Sequence, residues 1–394
     1  MRMESLDILR ELVGFPTLSS APNRALIEAA SAHLTAAGAQ VRLIENEDGT
    51  KANLYATLGP DDRPGVLLSG HTDVVPVEGQ DWTRDPFALA VEDGRAYGRG
   101  TADMKGFVAS MLALAERVGR EQIQLETPLH LALSYDEEIG CVGVRSMIDM
   151  LARAPFQPMF CIVGEPTSLA VATGHKGKTA LRVTCRGREA HSALAPQGLN
   201  AIYLATDMVA AIRELQAGLI ERASARREGS EEVGFDVPYT TLHVGTISGG
   251  EVLNIVPNQA QFLAEIRNLP DDDPDAIVAD LRAAADALLA PLRPAFPEAV
   301  IALEVINSYP GLQTEEDAAV VAFVKSLTGA NDTTKVAFGT EGGLFSDRLK
   351  IPTVVCGPGS MAQGHRPDEF IELEQLRRCD AMLDALLQRL QAVL

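Results

Sequence analysis

Strand-like and helix-like hydrophobic patterns alternate along the first 164 residues, give way to a different order near residue 177, and resume after Gly311. The 3.6-residue period of residues 4–14 and 23–37 predicts helices, and the β-rich runs at 41–44, 53–58 and 65–69 predict strands. Residues 104–118 and 141–152 read as helices between apolar strands at 128–134 and 159–164. Such alternation builds an α/β domain around a largely parallel sheet. Between 177 and 308 the order is instead strand TALRVTCRG, helix NAIYLATDMVAAIREL, strands TLHVGTIS and AQFLAEIRNL, helix DPDAIVADLRAAADALLAPL and strand AVIALEVINS. This βαββαβ order is the ferredoxin-like motif. A helix at 315–327 and a strand at 353–356 then restore the first rhythm. The expectation is a discontinuous domain, 1–176 with 309–394, interrupted by a smaller sandwich at 177–308. The polar tract ERASARREGSEEVG at 221–234 reads as an exposed loop of that insert.

Bulk properties narrow the chemistry. A net charge of -20 argues against nucleic acid, whose affinity comes from clustered Lys and Arg. The opening MRMESLDILRELVGF is amphipathic, without the apolar core and cleavage site of a signal peptide, and no stretch approaches the ~20 apolar residues of a membrane span. A cytoplasmic protein acting on a small molecule is expected. Cys141, Cys161, Cys185, Cys356 and Cys379 are odd in number and widely spaced, which predicts reduced, mostly buried thiols.

Five segments end a strand or open a helix with a metal-binding type of side chain. In VLLSGHTDVVP an apolar run delivers His71 and Asp73, an imidazole with a carboxylate able to fix its tautomer. YGRGTADMKG places Asp103 in a glycine-bracketed turn before a helix, where an N-cap is the ordinary alternative. LHLALSYDEEIG sets Asp136, Glu137 and Glu138 side by side at the mouth of a buried strand, an arrangement that repels itself unless cations or solvent relieve it. FCIVGEP delivers Glu165, and CGPGSMAQGHRPDEF offers His365 after another strand. Open α/β sheets bind ligands beyond the carboxyl ends of their strands. Two His and three carboxylates at that edge suit a pair of zinc ions better than Mg or Ca.

His-x-Asp, Gly-x-x-Asp-x-Lys-Gly, Glu-Glu, Glu-Pro and the late His occur here in the order found in the M20 metallopeptidase family, which the chain resembles over essentially its whole length. The resemblance implies a zinc-exopeptidase-like, mostly parallel sheet flanked by helices, with the ferredoxin-like insert as a lid and dimerisation domain. It also implies two zinc ions, with cobalt able to substitute. His71 and Glu165 would hold one ion, Glu138 and His365 the other, and Asp103 would bridge them, its peptide bond to Met104 being cis. Asp73 would orient His71, Glu137 would be the general base, and His191 in GREAHSALAPQGLNA would donate to the oxyanion in the partner subunit's site. Arg267 in AEIRNLP and Asn254 in GGEVLNIVPNQ match substrate-contacting positions, with Lys176 a further candidate.

The segments FGTEGGLFSD, read as a glycine-flanked loop, and CGPGSMAQGHRPDEF resemble the family's acetylornithine deacetylase branch. That would set Thr340 and Glu341 beside a substrate ammonium. N-succinyl-L,L-diaminopimelate desuccinylation, broader deacylation of N-acyl amino acids, and a non-catalytic metal-dependent binding protein remain alternatives. His33, His130, His175 and His243 lack a comparable context and read as structural.

Overall fold

The computed structural model describes residues 3–227 and 234–394. Its contacts divide the chain into two compact units, one made of the chain up to His175 together with Leu312–Leu394, the other of Lys176–Gly311.

The first unit is built on a nine-stranded sheet. Its strand order is Gln40–Glu45, Ala52–Leu58, Leu129–Ser134, Val66–His71, Phe160–Pro166, Thr353–Gly357, Val171–His175 and Leu312–Gln313, with Thr333–Val336 pairing beside Val171–His175. The four central members, Leu129–Ser134 through Thr353–Gly357, run parallel, and their outer neighbours Ala52–Leu58 and Val171–His175 pair with them antiparallel. Every residue of these four strands is buried, which is why their sequences are continuous apolar runs rather than alternating ones. Helix Gly106–Arg120 buries Phe107, Val108, Met111, Leu112 and Ala115 at helical spacing in the core. Helix Leu373–Leu390 adds Leu376, Cys379, Met382, Leu383, Leu386 and Leu387. A separate antiparallel sheet of Ala90–Glu92, Arg95–Tyr97 and Phe370–Glu372 ties the end of the chain to the segment before Asp103.

One close approach in this core is unforgiving. A Cβ on Gly164 would lie 1.9 Å from the Phe107 ring, so the strand that delivers Glu165 packs on helix Gly106–Arg120 only because that residue is glycine. Gly164→Ala is expected to destabilise the protein by about 1–3 kcal/mol or more, as overpacking does. A chemical denaturation midpoint unchanged from wild type would contradict this.

The second unit is an antiparallel four-stranded sheet in the order Thr241–Gly249, Gln259–Arg267, Lys178–Arg186, Val300–Tyr309. Numbered along the chain this is 2-3-1-4, the ferredoxin-like arrangement expected from the sequence. Helices Ala201–Arg227 and Pro274–Leu289 cover it, burying Leu204, Met208, Ile212, Ile277 and Leu281 against Leu181, Val183, Phe262 and Ile266. The second helix starts at Pro274 because Asp273 accepts the Asp275 N–H at 2.9 Å and proline suits the first turn. The expected 221–234 loop is corrected in part, since helix Ala201–Arg227 continues through its first half; positions 228–233 lie outside the described residues. Alanine- and arginine-rich sequence there favours helix over loop. All five cysteines are buried and unpaired, and no described helix is long and apolar enough to cross a membrane.

Candidate metal centre

Because the four central strands are parallel, their carboxyl ends share one edge. His71 is the last residue of its strand, Glu165 lies one residue from the end of another, and Glu137 and Glu138 come just after Ser134. Asp103 reaches the same place from the turn Thr101–Lys105, and its carboxylate makes no capping bond to the next helix. Its peptide bond to Met104 is cis. His365 comes from the segment after Thr353–Gly357.

The side chains converge. His71 Nε2 is 3.1 Å from Asp103 Oδ1 and 3.9 Å from Glu165 Oε1. His365 Nε2 is 3.1 Å from Asp103 Oδ2 and 3.0 Å from Glu138 Oε2, so Asp103 stands between the two imidazoles. Two groups of donor atoms lie within 4.8 Å of one another, His71 with Asp103 and Glu138, and His71 with Glu137 and Glu165. Glu137 thus falls within ligand reach of His71 and Glu165, which the motif order alone did not suggest.

Electrostatics argue for a cation here. Burial, reinforced by neighbouring carboxylates, pushes Glu137 and Glu165 well above the usual carboxylate range. Burial and the Asp103 charge raise Glu138 to about 7. Hydrogen bonds that His365 donates to Asp103 and Glu138 lift it to about 10. For His71, burial acts downward but is outweighed by Asp103 and Asp73, and the net shift is up. Burial would raise Asp103, yet His365 and His71 hold it well below its ordinary value. Four carboxylates gathered on two imidazoles form a site that a divalent ion of borderline softness fits by charge and donor type.

The supporting shell is partly as expected. His71 Nδ1 meets the Asp73 main-chain oxygen at 2.9 Å, closer than the Asp73 carboxylate at 3.5 Å. That carboxylate instead accepts the Glu137 and Glu138 N–H groups at 3.1 and 3.3 Å and the Ser19 hydroxyl at 2.8 Å, so Asp73 shapes the Glu137–Glu138 turn as well as facing His71. Asp136 turns aside to Lys51 at 2.6 Å, which leaves only two of the three adjacent carboxylates facing the cluster. Cys141 donates its thiol to Glu137 Oε1 at 3.3 Å. Neither Ser19 nor Lys51 carried any sequence signal, because both act across long separations.

Thr340 and Glu341 lie in a loop as expected, but the rest of FGTEGGLFSD is corrected: Gly342–Leu349 is a helix. Thr340 accepts the Gly342 N–H at 3.0 Å and starts it, while Leu344, Phe345 and Leu349 bury its inner side. Glu341 immediately precedes this helix and is 1% exposed, with Oε2 3.4 Å from the Ser69 hydroxyl and Oε1 without a hydrogen-bond partner. Burial lifts it to about 7. His175 Nε2 accepts the Gly343 N–H at 3.1 Å, a structural role, and neither donor group includes His33, His130 or His243.

The remaining candidates belong to the second unit. His191 is exposed, its Nδ1 accepting the Ala193 N–H, and pairs through its backbone with Ile255, which sets it beside exposed Asn254. Arg267 is held in a fork by Glu265 at 3.0 and 3.4 Å and reaches Tyr309 Oη at 3.5 Å. Lys176 is buried and donates to Tyr239 O at 2.7 Å. Its ammonium is lowered first by burial and then by the Arg267 charge.

Comparison with known proteins agrees with this centre. Residues 67–389 match the family described as Peptidase family M20/M25/M40. The chain is 36% identical over 381 residues to an acetylornithine deacetylase of Myxococcus xanthus, covering 95% of this chain and 94% of that one. It is 34% identical over 391 residues to the acetylornithine deacetylase of Pasteurella multocida (strain Pm70), covering 97% of each. Among solved structures, the M20 family metallo-carboxypeptidase Sso-CP2 from Sulfolobus solfataricus shares the fold with a TM-score of 0.78 at 20% identity, over 99% of both chains. A cluster of donors able to hold a metal ion at the parallel edge, a match across most of the length and relatives at about one third identity make the chain a hydrolase belonging to peptidase family M20/M25/M40.

Proposed function

We propose that the chain removes the acetyl group from Nα-acetyl-L-ornithine, releasing L-ornithine and acetate as a cytoplasmic step of arginine biosynthesis. The observation that carries the choice of substrate is Glu341, a buried carboxylate with an unpartnered oxygen, set against the strand that ends in His71. A carboxylate so placed suits a substrate ammonium, since a buried charge is tolerated when paired. Full-length similarity to proteins named acetylornithine deacetylase supports the same reading.

In this reading His71 and Glu165 would hold one zinc ion and Glu138 and His365 a second, with Asp103 available to both. Ions held there would supply Lewis acidity toward water and the scissile carbonyl. Glu137 takes a proton from the attacking water and returns it to the leaving amine, a part suited to its raised proton affinity and to the Cys141 and Asp73 contacts that fix it. Asp73 orients His71. For the second unit the reading rests on family resemblance: His191 as oxyanion donor, and Arg267, Asn254 and Lys176 as contacts for the substrate carboxylate. Arg267 and Lys176 already have the partners Glu265 and Tyr239, so binding there exchanges existing bonds. Thr340 acts by fixing the turn that carries Glu341. Exposed apolar side chains of the second unit, including Leu194, Tyr203, Ile247 and Leu253, support a homodimer formed through it.

The test is amine release by purified, chelator-treated protein with and without zinc or cobalt, offered Nα-acetyl-L-ornithine and N-succinyl-L,L-diaminopimelate side by side. Metal-dependent turnover of acetylornithine is expected. Glu341→Gln should lower kcat/KM for acetylornithine by ~10–100-fold, the worth of a charge-assisted bond, while changing turnover of N-acetyl-L-methionine little. Preference for the succinyl substrate, or equal losses on both acetyl substrates, would sink the ornithine assignment.

A further inference from the structure

We propose that Glu369, with Arg99 and Gln80, is a positioning clamp that fixes the backbone of Asp103 and His365 and thereby sets metal affinity at the Asp103, Glu138 and His365 end of the cluster. The inference rests on the two-ion reading above.

Glu369 and Arg99 are each 1% exposed, and they pair at 2.7 Å. The other bonds of the carboxylate all go to main-chain N–H groups of one turn. Oε1 accepts from Ala102 at 2.9 Å and Asp103 at 3.1 Å, and Oε2 accepts from Gly100 at 3.1 Å. A single side chain therefore holds three of the four residues from Gly100 to Asp103. Glu369 is itself anchored where Gly98 donates to its main-chain oxygen at 2.9 Å, beside the pairing of Phe370 with Tyr97.

The other arm reaches His365. Arg99 Nη1 extends to Arg366 O at 3.4 Å, and Arg99 Nη2 donates to Gln80 Oε1. Trp82 Nε1 donates to the same oxygen at 3.0 Å, so the Gln80 amide is oriented with Nε2 donating to His365 O at 3.0 Å. His365 stands at φ +60°, a left-handed conformation that a non-glycine residue holds only when its surroundings enforce it. One network thus grips the main chain of two residues whose side chains meet at 3.1 Å. Stability is a poor explanation for it, because a buried ion pair seldom stabilises a fold more than apolar residues of the same size. Outer partners that orient metal ligands, by contrast, commonly govern affinity by ~10–100-fold.

The experiment is cobalt binding by chelator-treated protein, monitored by titration calorimetry and by the visible absorption of each bound ion, for wild type, Glu369→Gln and Gln80→Ala. Wild type should bind two ions per chain. Glu369→Gln should weaken the ion at the Glu138–His365 end at least tenfold, and clearly more than the other ion, which shares Asp103 but not His365. Gln80→Ala, which releases only the His365 side, should weaken the same ion by about threefold or more while the metal-free melting temperature stays near wild type. This second variant keeps the proposal testable if Glu369→Gln does not fold. Two ions bound with wild-type affinities in both variants, or both ions weakened equally, would overturn the clamp while leaving the metal centre standing. Fewer than two ions in the wild type would overturn the two-ion reading and the clamp with it.

Discussion

Glu137→Ala should lose ~10²–10⁴-fold in kcat, the usual contribution of a general acid–base group, while the purified protein keeps its full complement of metal. Metal retention is the more discriminating of the two outcomes. Glu137 lies within ligand distance of His71 and Glu165, so geometry alone allows it to be a donor to the ion. Its main-chain N–H is tied to Asp73, and its Oε1 already receives the Cys141 thiol. If it moves protons, its removal spares metal content and abolishes turnover; if it holds the ion, bound metal and turnover fall together. Metal analysis of the variant beside wild type separates the two. Near wild-type turnover would instead mean that a group other than Glu137 moves the proton.

Chelation should abolish turnover and leave a protein whose stability falls as pH rises. Unfolded, Glu138 and Glu341 titrate near 4.5; in the folded, metal-free chain both are lifted to about 7. The folded state therefore holds the extra protons between those values. The stability they contribute is fully present below pH 4.5 and is lost as pH climbs through 7. His365, lifted to about 10, extends the loss above pH 6.5, whereas Asp103, shifted down, matters only under more acid conditions. The Glu138 shift alone is worth roughly 3 kcal/mol. Metal replaces the protons on its ligands Glu138 and His365, so the melting-temperature gain on adding zinc should grow between about pH 5 and 8, on the order of 5–10 °C overall. A gain independent of pH across that range would mean that Glu138 and His365 are not donors.

Much of this centre could be read from sequence because its chemistry coincides with punctuation. His71, Glu165 and the Glu137–Glu138 pair each close or succeed a continuous apolar run, and parallel strands necessarily bring the residues at the ends of such runs to one edge. The insert was legible for a similar reason, its strands and helices differing in period. The features that escaped depended on distant partners. Glu341 read as a residue of a glycine-flanked loop, which it is, but no local pattern showed that the core buries it just before helix Gly342–Leu349. Helix Leu373–Leu390 carries a plain helical period but no chemistry to draw attention to it. Lys51 holding Asp136, and Glu369 holding the turn before Asp103, join residues 85 and 266 or more positions apart, and no local pattern encodes such pairs.

The interrupted sheet also bears on how the protein is made. Strand Thr353–Gly357 lies between Phe160–Pro166 and Val171–His175, so two neighbours separated by only a short turn are pried apart by a segment from near the far end of the chain. A nascent polypeptide exposes those apolar strands long before the piece that belongs between them leaves the ribosome. The intervening Lys176–Gly311, with its own core, can mature in the meantime. At ~5–20 residues per second that interval is on the order of ten seconds. During it the half-built sheet offers unpaired edges to any passing chain, and a chaperone that occupies them would be most useful then.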